Sequence, residues 1–210
     1  MAKFPEPPTP GELALLGPDV QILPAGSTVW RIYFLGGSHP TSWGQFRAWG
    51  PTESRFDHHI PPASLQAREI LYGAVGPRGA ITALADVFQE TRIVDRSFNN
   101  PCLASFETIR DLRLLDLTGT WPTKAGASAA IASGPKARAR RWSQAIFAAF
   151  PSLDGLLYGS SMHANAPCVA LYERAAVAMP ASPSTNRMLA DPILLTALRN
   201  ACADLNFFLV

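Results

Sequence analysis

The chain has 210 residues, enough for one sizeable core and too few for two large ones, so one domain is expected. Apolar residues make up 48% and charged residues 16%, a balance that fits a compact globular protein and excludes a disordered chain or a solvated coiled coil. A net charge of +2 argues against a dominating nucleic-acid field.

No apolar run reaches the roughly 18 residues of a membrane span, and the start MAKFPEPPTP lacks the apolar stretch of a signal peptide. The protein is therefore expected in the cytoplasm. Met1 to Pro10 carries four prolines without periodicity and reads as an extended or mobile arm. From Gly11 to Gly26, Gly17-Pro18 and Pro24 interrupt the apolar residues and allow short elements only. Residues 1–22 are accordingly set apart as arm and short elements, and 23–210 as the single domain.

Thr28 to Phe34 reads as a strand, β-branched and aromatic, with Arg31 at its centre. It runs into a loop, Gly36 to Gly50, that ends near Ser54-Arg55-Phe56. Two arginines thus flank a turn-rich, aromatic segment, a plausible device for an anionic planar ligand because guanidinium offers a rigid fork of donors. Arg68 to Val75 is a second strand. Ile81, Leu84, Ala85 and Phe88 then follow the spacing of one helical face, predicting a helix from Gly79 to Glu90 with Asp86 and Glu90 sharing a second face. The glycines of GAVGPRGA suit a turn into that helix better than a dinucleotide loop.

Leu103 to Ile109 and Leu112 to Leu117 are strands, and the alanine-rich Thr123 to Ser133 is a helix stopped by Gly134-Pro135. A stronger helix spans Lys136 to Phe150, with Trp142, Ile146, Ala149 and Phe150 marking its buried face. Its Lys136, Arg138, Arg140 and Arg141 spread around the axis, as on a solvated helix, with a partner surface as the alternative. Leu156 to Ser161 and Cys168 to Glu173 form a strand pair; Ala178 to Arg187 is loop. Asp191-Pro192 caps a helix running to about Ala203, and Asn206 to Val210 is a last strand. Interleaved strands and helices make the class α+β.

The chemical signals are sparse. Cys102, Cys168 and Cys202, odd in number and without CxxC spacing, fit reduced buried thiols rather than disulfides or zinc ligands. Adjacent His58 and His59 point to opposite faces of an extended segment, so no metal site is expected. Gly159-Ser160-Ser161 lacks the second glycine of a nucleophile elbow. Arg31, Arg55, Tyr72, Asp86 and Ser160 remain, each with an ordinary structural reading when taken alone.

In order, the segments WRI, SRF, LYGAV, ITALADVF, RLLDL, RWSQAIFAAFP, DGLLYGSS and CVALYERA resemble the RES-domain family, the toxins of Xre–RES toxin–antitoxin pairs. The resemblance covers about Leu23 to Ala175. It implies an ADP-ribosyltransferase-like fold, with small mixed sheets around an NAD cleft and flanking helices. It also implies NAD as the substrate, cleaved at its nicotinamide–ribose bond, with water, phosphate or a protein side chain accepting ADP-ribose. An Xre-type antitoxin is the implied partner, and through it any contact with nucleic acid; no membrane or metal is implied. Arg31 and Arg55 match the family's arginines and would hold phosphate, Tyr72 its strand tyrosine, and Ser160 a serine that would hold the carboxamide or a ribose hydroxyl. Where the family carries glutamate this chain has Asp86, one methylene shorter. Three readings follow: Asp86 serves, Glu90 one turn later replaces it, or activity is reduced, in the limit to a silent nucleotide-binding module.

Overall fold

The computed structural model describes residues 4–210. Its strands are β1 (Val20–Leu23), β2 (Thr28–Phe34), β3 (Arg47–Gly50), β4 (Ser64–Val75), β5 (Ile93–Val94), β6 (Pro101–Glu107), β7 (Leu112–Asp116), β8 (Gly155–Gly159), β9 (Pro167–Tyr172), β10 (Thr185–Met188) and β11 (Phe208–Leu209). Its helices are α1 (Pro10–Leu16), α2 (Gly79–Val87), α3 (Trp121–Lys124), α4 (Ala130–Ser133), α5 (Lys136–Ala149) and α6 (Leu195–Leu205), with 3-10 turns at Glu173–Ala178 and Pro192–Leu194.

Among the described residues, nine strands join in one mixed sheet, ordered β1-β7-β8-β9-β4-β2-β6-β10 with β3 added to β4, and β5 pairs with β11 separately. The class is α+β as expected, but the expectation of small sheets is corrected to one large sheet. The long strand β4 causes the fusion: one edge pairs with β9, while the other pairs with β3 toward its start and with β2 at its end. β2 and β4 meet only at Val29↔Val75 and Trp30↔Ala74. Beyond Trp30, β2 stays on β6 through Phe34, whereas the β4 edge passes to β3 at Ile70. The sheet splays open between the two strands.

Glycines permit the close approach at the point of this splay. A Cβ on Gly73 would stand 2.4 Å from Val29 Cγ1, and one on Gly79, at the start of α2, 2.5 Å from Trp30 Cδ1. Alternation along β2 sends Trp30, Ile32 and Phe34 into the larger core beneath α2 and α5, and Val29 into a second core with Phe46, Leu71, Phe106 and Leu171. Burying both faces requires the near-continuous apolar runs seen in β6 and β9.

Several local expectations change. The helix expected over 123–133 is two short helices, parted at Gly126, whose φ of +87° is a left-handed conformation that ends a helix. α2 stops at Val87, which puts Glu90 beyond the helix rather than on a shared face with Asp86. The loop expected over 36–50 closes into β3, and the loop over 178–187 into β10, because sheet edges recruit both segments. Asp191 caps as expected, accepting from Ile193 N at 3.0 Å, but opens a 3-10 turn before α6. Of the expected arm, Met1 to Lys3 lie outside the described residues. From Phe4 the chain is packed: the Phe4 ring is buried against Trp142, α1 lies on α5, and β1 pairs along its length with β7.

Candidate active site

A cleft of about 480 Å³ occupies the splay. Arg31, Ile32, Tyr33 and Phe34 of β2 form one wall, and Ile70, Tyr72, Gly73 and Ala74 of β4 the other. α2 overhangs it with Ala83, Asp86 and Val87, the 52–55 segment brings Arg55, and Lys136 stands at the start of α5. One register row of the sheet floors it, since Tyr158 on β8 faces Cys168 on β9, which faces Ala74 on β4. Five site residues singled out in the sequence, Arg31, Arg55, Tyr72, Asp86 and Glu90, thus line a single cavity.

Arg31 leaves β2 on the face away from α2, is nearly fully buried, and its Nη1 donates to the carbonyls of Trp43 at 2.9 Å and Gln45 at 3.1 Å. The guanidinium therefore ties the glycine-rich loop to the strand. Burial pushes its pKa down to about 10, which leaves it charged at neutral pH. Among the described residues, its Nε has no hydrogen-bond partner although it is buried, and the buried Tyr72 hydroxyl lies toward the Phe56 backbone amide. A buried nitrogen is costly to leave unpaired, and a bound ligand would satisfy it. Arg55 is half-buried, donates Nη1 to the Gly134 carbonyl, and acts electrostatically on Asp86 and Tyr72.

The acid is held firmly. Ser160 Oγ accepts from the amides of Met162 at 3.1 Å and His163 at 3.0 Å. Both lone pairs being used, its proton goes to Asp86 Oδ1, 2.5 Å away. Burial raises the Asp86 pKa from its ordinary value, opposed by the Ser160 and Cys168 donors and by Arg55. Ser160, expected to hold a carboxamide or a ribose hydroxyl, is buried here with its hydroxyl donating to Asp86 and accepting from the two loop amides. Glu90, the alternative carboxylate, also lines the cleft; its exposed carboxylate pairs with Lys136 at the mouth, and that pairing lowers its pKa.

The model of the RES domain family matches residues 28–191. The chain belongs to the RES-domain family. No curated protein matches it. A solved structure, the crystal structure of the M. tuberculosis MbcT–MbcA toxin–antitoxin complex, is similar in fold with a TM-score of 0.52 at 16% identity, over 84% of this chain and 91% of that one.

In this RES domain the basic face of α5 is engaged internally: Lys136 pairs with Glu90, Arg138 and Arg141 with Glu6, and Arg140 with Glu53. His58 and His59 are both fully buried, and among the described residues no group of three or more His, Cys, Asp or Glu is placed to hold a metal ion. His59 Nδ1 pairs with Asp57, whose Oδ2 accepts from Arg47 at 2.8 Å and Thr52 N at 2.7 Å. That network fixes the 52–57 segment which delivers Arg55. The three cysteines are free and buried. No helix among the described residues is long and apolar enough to cross a membrane. The sequence reading missed Tyr158 and Cys168 on the floor and Arg47 and Lys136 on the walls. Tyr158 was within reach, since strand alternation puts it on the face of Ser160; Cys168 enters only through pairing across three strands.

Proposed function

We propose that this RES domain is the toxin of a toxin–antitoxin pair and cleaves NAD at the nicotinamide–ribose bond, on an ADP-ribosyltransferase-like fold. The observation that carries the reading is the convergence of Arg31, Arg55, Tyr72 and Asp86 on one cleft, with a buried Arg31 nitrogen lacking a partner. Breaking the bond develops positive charge on the ribose as neutral nicotinamide leaves. An anchored carboxylate in a partly desolvated site stabilises that charge more strongly than one in water. Asp86 has that role. Arg31 and Arg55 hold the pyrophosphate by charge-assisted bonds, and Tyr72 lies against the nicotinamide or ribose. Ser160 keeps the carboxylate oriented.

The acceptor of ADP-ribose is water, phosphate or a protein side chain. An antitoxin of Xre type silences the protein by covering the cleft, consistent with the toxin–antitoxin complex found for the similar structure. Incubating the purified protein with NAD alone, with phosphate and with cell extract, and following nicotinamide by chromatography, tests the reading and identifies the acceptor. Release is expected in at least one arm, and Arg31→Ala is expected to abolish it. A folded protein releasing none in any arm would overturn the enzyme reading and leave that of a silent nucleotide-binding module.

A further inference from the structure

Each oxygen of the Asp86 carboxylate has its own donor, and the two come from different parts of the fold. Oδ1 is held by Ser160 at the end of β8, and Cys168 Sγ on β9 lies 3.4 Å from Oδ2. The thiol is nearly fully buried and sits in the cleft floor between Tyr158 and Ala74. Burial and the neighbouring carboxylate push its own pKa far up, so it remains a protonated donor across the working range of pH and makes a poor nucleophile. A reactive cysteine needs an electropositive, partly exposed setting, and this one has neither. What the position offers is an S–H aimed at a carboxylate that Ser160 alone would leave free to swing about Oδ1.

We infer, resting on the NAD-cleaving reading of the cleft, that Cys168 is a positioning residue whose thiol donates to Asp86 Oδ2 and fixes the carboxylate against the developing charge. The other titratable groups acting on Asp86 and its surroundings are Arg55 from the 52–55 segment, His163 from the loop after β8, Tyr72 from β4 and Tyr158 from β8. Arg55 and His163 favour the ionised carboxylate, as the thiol does. Losing a donor to the charged form disfavours that form, so removing the thiol moves the titration of Asp86 upward while the other groups stay in place.

Two readouts on the full chain test the inference: carbon-13 NMR titration of the side-chain carboxyls, with Asp86 assigned through Asp86→Asn, and nicotinamide release as a function of pH. In Cys168→Ala the Asp86 midpoint and the acid limb of kcat are both expected to move to higher pH. kcat is expected to fall roughly three- to tenfold at little change in KM, the size of one weak charge-assisted bond. Cys168→Ser, which restores a donor, is expected to recover both. A lost contact that served packing alone would lower stability without moving either midpoint. A folded Cys168→Ala with wild-type midpoint and wild-type kcat overturns the inference; Cys168→Val, which fills the space without a donor, stands in if the alanine variant does not fold. Should wild type release no nicotinamide, the NAD reading falls by itself, and the NMR midpoint still decides: unmoved it refutes the hydrogen bond, raised it supports it.

Discussion

Ser160→Ala probes the anchoring of the acid. The hydroxyl makes three hydrogen bonds at 2.5, 3.1 and 3.0 Å, one to Asp86 and two from loop amides. Taking about 1 kcal/mol for each bond lost, the variant should be destabilised by about 3 kcal/mol. In a domain of this size that corresponds to a fall in melting temperature of about 6–12 °C. The sum is an upper figure, since Met162 and His163 are partly exposed and water can reach their amides. The Asp86 titration should rise as well, because the strongest donor to its ionised form is gone. Urea unfolding at neutral pH and the carbon-13 titration check both effects. A loss under about 1 kcal/mol with an unmoved Asp86 midpoint would show that Ser160 does not hold the carboxylate.

Asp86→Asn should remove the stability that wild type loses as pH rises through the titration of Asp86. The folded pKa of Asp86 is raised by burial, so the folded state holds the proton more tightly and wild type loses stability as pH rises through that pKa. Denaturation at several pH values should show a fall with rising pH in wild type that is absent from the variant. At the acid end, His58 has its pKa lowered from 6.5 by burial and Asp57 is held below 3.8 by His59, Arg47 and the Thr52 amide. Both shifts give stability that is lost as pH falls, first below 6.5 and again below 3.8. His58→Phe should flatten the first loss in a urea series, and an unchanged slope would contradict it. Gly155→Ala would put a Cβ 2.3 Å from the Ala170 carbonyl oxygen and 2.9 Å from Leu171 Cα, which forces β8 off β9. A cost of about 3 kcal/mol or more is expected, read as insoluble or early-melting protein.

Much of the site was legible because its pieces sit on elements with strong local signals. Thr28–Phe34 is a strand with the bounds its aromatic and β-branched residues predict, and the apolar spacing after Gly79 places Asp86 on a helix. Local pattern does not carry pairing, however. β3 and β10 are glycine- or proline-flanked segments that become strands only because a sheet edge takes them up, and the fusion through β4 is invisible in any window of sequence. The same limit governs the chemistry. Arg31, Arg55, Tyr72 and Asp86 were found as residue types in order, whereas the part played by Ser160, the capture of Glu90 by Lys136 and the approach of Cys168 to Asp86 depend on contacts between residues far apart in the chain.

The most direct test of NAD cleavage by this cleft with Asp86 as its charge-stabilising carboxylate is nicotinamide release by wild type, Asp86→Asn and Glu90→Gln side by side under the condition that supports turnover. Release by wild type and Glu90→Gln with none by Asp86→Asn is the predicted result. Release by Asp86→Asn at the wild-type rate, or its loss in Glu90→Gln alone, would contradict the account.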